Sequence, residues 1–338
     1  MNLRHLALSI AASTSLAAVA IAPVAAEPVQ QAGGLNVAFL PKQVNNPYFD
    51  TAATGAQKAA AELGGQFKQV GPSTATGAAQ VPFIQDLTTQ KVSAIAVSAA
   101  DPDAIAPSLK AARSAGIKVV GYDSSPAAGA YDVFVNQADT QGIGMSLVQM
   151  ACDEAPSCAG DIAVLSATST ATNQNAWIDV MKQTLQQPQY SGLNLVDVVY
   201  GNDDDQTSQQ QAQGLLQSYP NLQVIVSPTT VGIAAAAKVL TDTGNSGTVQ
   251  LTGLGTPNSL RAYVKDGTIK EFALWNVESL GYLTYYVAAK LVSGQIKGTP
   301  GESFSVPTLG DYTIGDNSVL VLGPPQVFDG NNIDQFNF

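Results

Sequence analysis

The chain has 338 residues with 15 basic and 26 acidic side chains, a single histidine and a formal charge of −11. Acidity on this scale repels nucleic-acid phosphates and anionic membrane, so no nucleic-acid partner is expected. With one histidine, the commonest general base and metal ligand is almost missing, which leaves catalysis without its usual equipment.

Residues 1–26 carry the parts of a secretory signal: Arg4 near the start, an apolar run from Leu6 to Ala22, and Val24-Ala25-Ala26 as a cleavage site. Cleavage near Ala26 removes Arg4 and the only histidine, His5, and leaves 14 basic against 26 acidic residues, a charge of −12. No cysteine follows the apolar run closely, so no lipid anchor is expected there. No later stretch approaches the roughly 20 apolar residues of a spanning helix, and the remaining chain reads as soluble and exported.

In chain order, Leu35–Leu40 reads as the first strand, followed by a polar turn and two adjacent aromatics, Pro41-Lys42-Gln43-Val44-Asn45-Asn46-Pro47-Tyr48-Phe49. Short apolar, largely β-branched runs at 93–97, 117–121, 160–165, 195–199, 222–226 and 248–253 alternate with stretches of helical spacing, the signature of βαβ units and a parallel sheet. Val92–Ser98 is echoed by Leu222–Pro228, each a buried strand with a small polar residue near its end and an Ala-rich helix after it. The expectation is an α/β protein of two similar parallel-sheet domains joined by a hinge. Residues 27–138 form the first domain and 139–275 the second, while 276–338 return to the first through a helix and end in a surface tail. One crossing falls near Asn136–Asp139, a second near Trp275–Glu278, and the Gly- and Pro-rich tail from Gly294 offers a third. Cys152 and Cys158, separated by five residues in an oxidising compartment, are expected to form a local disulfide.

In open α/β sheets ligands sit beyond the carboxyl ends of the strands. Several strand ends here carry groups suited to a small polyhydroxy ligand, which needs flat apolar faces for its C–H groups and amides or carboxylates for its hydroxyls. Tyr48 and Phe49 either wall such a ligand or begin the core face of a helix. Asp123 ends the fourth strand, where a carboxylate accepts two hydroxyls or caps a turn. Thr172-Asn173-Gln174 sits at a helix entrance, with Thr172 or Asn173 as N-cap. Thr230 belongs to the turn Ser227–Gly232, and Trp275-Asn276 stands at the second crossing, as ligand contact or hinge packing. Phosphate-binding glycine motifs, zinc spacings and a G-x-S-x-G elbow do not occur.

These segments resemble the periplasmic sugar-binding proteins of ABC importers, in the branch that includes rhamnose-binding and autoinducer-2-binding proteins. The resemblance rests on Leu165–Trp177, Val224–Val231, Thr252–Gly255, Lys270–Asn276 and the more widely shared Asn46-Pro47-Tyr48-Phe49. It implies a monomeric, periplasmic, non-enzymatic protein of the type I binding-protein fold, closing on one sugar and serving a membrane ABC permease, with no cofactor or metal. The implied ligand residues are Lys42, Asn46, Tyr48, Phe49, Asp123, Asn173, Gln174, Thr230, Trp275 and Asn276. Lys42 and Asp123 match the autoinducer-2 pattern. Asn173-Gln174 stands where that pattern has Asp-Gln, Pro228-Thr229-Thr230 where it has Pro-x-Ala, and Trp275-Asn276 where it has Trp-Asp, so L-rhamnose is the expected ligand.

Two other classes fit the residues less well. A secreted carbohydrate-active enzyme needs two carboxylates flanking one glycosidic bond, and only Asp123 falls clearly on the rim. A sugar-responsive repressor needs an N-terminal helix-turn-helix and a basic surface, where this chain has an export signal and excess acid.

Overall fold

A computed structural model describes residues 34–338; the signal segment and its cleavage point lie outside the described residues. The elements alternate as the apolar runs require: β1 (Asn36–Leu40), α1 (Pro47–Leu63), β2 (Gln66–Gln69), α2 (Gly77–Thr89), β3 (Ala94–Val97), α3 (Pro102–Ser114), β4 (Lys118–Tyr122) and β5 (Val133–Asn136) come first. Then follow α4 (Thr140–Glu154), β6 (Gly160–Ser166), α5 (Thr172–Thr184), β7 (Leu193–Tyr200), α6 (Asp205–Ser218), β8 (Leu222–Ser227), α7 (Thr230–Asp242), β9 (Gln250–Gly253), α8 (Pro257–Lys265) and β10 (Glu271–Leu274). The chain closes with α9 (Val277–Ser293), the hairpin β11 (Ser303–Val306) and β12 (Gly310–Thr313), β13 (Val319–Val321) and β14 (Gln326–Asp329).

Strands β1 to β5 form one parallel sheet in the order β2-β1-β3-β4-β5, and β6 to β9 form a second in the order β7-β6-β8-β9. The first four strands of each lobe therefore share one winding. In both, the chain turns outward after its first strand and returns on the other side with its third, which opens a crevice at the carboxyl end between them.

Burial on both faces explains the apolar runs. In the first sheet Val37, Phe39, Ala94, Ala96, Val120 and Tyr122 face the core that includes residues of α1 and α9. Ala38, Leu40, Ile95, Val97 and Val119 face the opposite core with Ile84 of α2 and Leu109 of α3. Helix α1 begins where Asn46 Oδ1 accepts the Tyr48 N–H at 3.0 Å with Pro47 at its first turn, and it ends on Gly64 in the left-handed region, φ 63°. Gly55 of α1 and Gly281 of α9 let the two helices touch backbone to backbone: a Cβ on Gly55 would overlap the Glu278 carbonyl, and one on Gly281 the Ala52 carbonyl. That contact holds α9 on the first lobe directly after the chain leaves Trp275.

Three passages link the lobes. The chain goes from β5 to α4, returns from β10 to α9, and goes again between β13, which extends the first sheet beside β5, and β14, which pairs antiparallel with β10. The tail is thus woven into both halves. Cys152 and Cys158 are joined across the end of α4. No helix among the described residues is long and apolar enough to cross a membrane.

Candidate functional site

The carboxyl ends of the two sheets face each other across a narrow cavity of about 30 Å³. Its wall draws Lys42, Asn46, Tyr48 and Phe49 from after β1, Asp123 from after β4, Gln174 and Trp177 from α5, and Asp203 from after β7. Pro228, Thr229 and Thr230 follow β8, Leu254 follows β9, and Leu274 and Trp275 close β10.

The first lobe contributes a charge pair that is already satisfied. Lys42 is 2% exposed, and its ammonium lies 3.2 Å from Asp123 Oδ2 and 3.2 Å from Asn173 Oδ1, to which it donates. Asp123 also accepts the Ser98 hydroxyl at 2.6 Å and the Asn173 amide at 2.9 Å. Paired charges with further hydrogen bonds are the form in which ions survive burial.

Aromatic rings form the apolar part. Trp275 Nε1 donates to the Tyr48 hydroxyl at 3.0 Å, with the rings nearly perpendicular at 83°, and Trp177 lies 5.9 Å from Trp275 between centroids. Burial, then the nearby Asp123 charge, push the Tyr48 phenol well above its ordinary range, so it is a neutral hydroxyl.

The second lobe leaves acceptors open. Gln174 is buried, and its Oε1 has no hydrogen-bond partner among the described residues although the side chain lines the cavity. Asp203, also buried, accepts the Thr229 hydroxyl through Oδ1. Burial pushes its carboxyl up, opposed by the Lys42 charge and the Thr229 hydrogen bond. Buried polar groups are nearly always bonded, so an open amide oxygen on a cavity wall fits a site for a hydroxylated ligand.

Hydrogen bonds already join the lobes at the rim. Thr170 donates to the Ala100 carbonyl at 2.7 Å, Thr172 lies 3.0 Å from the Ser124 hydroxyl and donates to the Ser125 carbonyl at 3.2 Å, and Gln43 Nε2 donates to the Asp203 carbonyl at 2.7 Å.

Of the residues singled out in the sequence, Lys42, Asn46, Tyr48, Phe49, Asp123, Gln174, Thr230 and Trp275 meet at the cavity. Two take other positions. Asn276 is exposed and away from the wall; its Oδ1 caps α9 by accepting the Ser279 N–H at 2.8 Å. Asn173 is half-buried and not part of that wall; bonded to Lys42 and Asp123, it orients the pair. The expected N-cap of α5 also shifts: Ala171 occupies that position without a side-chain cap, because the Thr172 hydroxyl is used across the cleft. Sequence reasoning passed over Asp203. Gly201–Asp205 follows a strand run, and applying the strand-end rule there would have raised it. No group of three or more metal-ligating side chains is placed to hold an ion among the described residues.

Residues 37–296 match the model of the periplasmic binding protein domain. A sugar ABC transporter structure from Actinomyces odontolyticus is 45% identical, covering 92% of this chain and 99% of its own, with TM-score 0.72. An ABC transporter solute binding protein from Clostridium phytofermentas with bound L-rhamnose is 41% identical over 88% of this chain and 97% of its own, with TM-score 0.86. LsrB from Clostridium saccharobutylicum in complex with AI-2 is 25% identical over 89% and 99%, with TM-score 0.84. The chain belongs to the periplasmic binding protein domain family, among the solute-binding proteins of sugar ABC transporters, which are binding proteins and not enzymes.

Proposed function

We propose that this protein binds L-rhamnose between its lobes and delivers it to a membrane permease as an exported monomer. One observation carries the reading: a cavity lined both by polar groups, Lys42, Asn46, Asp123, Gln174 and Asp203, and by apolar ones, Leu254, Leu274, Trp177 and Trp275. A 6-deoxy sugar carries groups for both, hydroxyls for the polar side chains and a methyl for the apolar ones. The 41% identity to the chain with bound L-rhamnose supports it. Contacts to both lobes stabilise the closed form only through affinity that the open form lacks, and the closed form is what a permease would recognise.

Autoinducer-2 is the second reading, favoured by Lys42 beside Asp123 at 3.2 Å. The two are separated by thermal melting of the purified chain from Glu27 onward with L-rhamnose, autoinducer-2, ribose and galactose. A ligand at a hundredfold over its Kd adds about 2.7 kcal/mol of stability. A rise with L-rhamnose alone is the expected result; a rise with autoinducer-2 alone moves the ligand, and no rise with any of the four rejects the sugar reading.

A further inference from the structure

The loop Gly201–Asp205 between β7 and α6 does more than connect. Asn202 and Asp203 both adopt left-handed backbone, φ 57° and 51°. Non-glycine residues take that conformation at a cost, Asn and Asp most readily, and such strain persists where the surroundings over-determine it. The result is an aspartate only 6% exposed that forms part of the cavity wall.

Its polar atoms are divided between three tasks. Oδ1 accepts the Thr229 hydroxyl, the carbonyl accepts Gln43 Nε2 from the first lobe at 2.7 Å, and Oδ2 has no hydrogen-bond partner among the described residues. A carboxylate offers about four acceptor sites. Asp123, the other carboxylate of the wall, already accepts from Ser98 and Asn173 and pairs with Lys42. Asp203 therefore holds the more available charged acceptor. It also stands at a boundary: Asp203 and Thr230 line both the inner cavity and an outer cleft of about 680 Å³, whereas Gln43 lines the outer one only. The Gln43–Asp203 hydrogen bond spans the partition between them.

We propose that Asp203 is a specificity-determining ligand contact, its free carboxylate oxygen accepting a hydroxyl of the bound sugar while its carbonyl, through Gln43, ties that contact to closure of the lobes. This deepens the sugar reading above and rests on it. A charged hydrogen bond of this kind discriminates strongly, because a ligand without the hydroxyl leaves a buried carboxylate short of a donor.

The test is isothermal titration at pH 7 with L-rhamnose, autoinducer-2, D-ribose and D-galactose on wild type, Asp203→Asn, Asp203→Ala and Gln43→Ala. For the sugar that wild type binds, Asp203→Asn is expected to weaken affinity by about tenfold or more and Asp203→Ala by at least as much. Gln43→Ala, which keeps the carboxylate, is expected to speed dissociation several-fold in stopped-flow tryptophan fluorescence, read from Trp177 and Trp275. Asp203→Asn retains an acceptor for Thr229, so it carries the test if Asp203→Ala fails to fold. Binding of the same sugar within twofold of wild type by Asp203→Asn overturns the inference and leaves the sugar reading standing. Wild type binding none of the four overturns both.

Discussion

The two lobes wind alike yet equip the cavity in opposite ways. In the first lobe the strand ends bring together Lys42, Ser98 and Asp123, whose charges and hydrogen bonds are satisfied by one another and by Asn173. In the second they bring Gln174, whose Oε1 is open, and Asp203, whose second carboxylate oxygen is open. The same supersecondary unit serves once as a platform whose polar groups are satisfied by one another and by Asn173 of the facing lobe, and once as a reader whose hydrogen bonds a ligand completes. The difference teaches where stability and affinity should separate: substitutions in the platform should cost both, and substitutions in the reader should cost affinity with little loss of fold.

The largest effect is expected from the platform. Asp123→Ala leaves the Lys42 ammonium buried without its counter-charge, and breaking such a pair typically costs about 3–5 kcal/mol. Chemical denaturation should show a loss of that order with binding abolished. Adding Lys42→Met removes the stranded charge, so the double variant should regain much of the stability while binding stays lost. A double variant as unstable as the single would mean that the pair is not what holds this end of the lobe.

Next in size is the covalent link, which only the second lobe has among the described residues. The Cys152–Cys158 bridge closes a short loop at the end of α4. Loop-closure entropy for such a span corresponds to about 2 kcal/mol. Replacing both cysteines by serine should lower denaturation stability by about that amount. Affinity should be preserved, because neither residue lines the cavity. A loss of affinity would show that the second lobe is less independent of its staple than the comparison implies.

Smaller again is Gln174→Ala. Its unpaired Oε1 costs the ligand-free protein something, while its one hydrogen bond, Nε2 to the Pro228 carbonyl, is long at 3.5 Å. Removing the side chain should therefore change ligand-free stability little and weaken sugar affinity by roughly 1 kcal/mol, about fivefold, the net worth of one neutral hydrogen bond. Titration calorimetry beside a melting curve separates the two. Equal losses in both would place Gln174 with the platform.

The unequal legibility of the lobes has a physical origin. Strands buried on both faces must be written in continuous apolar residues, so β3, β4, β6 and β8 stood out, and with them the strand ends that carry Asp123 and Thr230. Strand β7 was legible too, in the run at 195–199, but its following turn uses left-handed Asn202 and Asp203, a backbone course that hydrophobic periodicity does not encode. Asn276 was expected at the ligand, but an Asn at a strand-to-helix junction presents the same acceptor to a helix N-terminus, and the Ser279 N–H donates to it here. Pairing of β13 and β14 with strands of different lobes depends on partners roughly 190 and 50 residues away, which local pattern does not encode.

The finest cut between the halves comes from pH. Burial raises the Asp203 carboxyl above its ordinary 3.8, with Lys42 and Thr229 opposing and Asp123 adding to the rise. The folded protein then holds that proton more tightly than the unfolded chain, so between 3.8 and the folded value the folded state binds more protons and stability falls as pH rises. Above that window the cost of ionising a buried carboxylate is carried in full. Asp203→Asn has no such cost and keeps an acceptor for Thr229. In the ligand-free state the variant should be more stable than wild type near pH 7, and the advantage should disappear as pH falls below 3.8. Following the difference between the two proteins cancels the titration of the other carboxylates. An advantage independent of pH would mean that packing, not charge, distinguishes them. A variant less stable than wild type at pH 7 would make Asp203 a structural anchor and return the second lobe to the same design as the first.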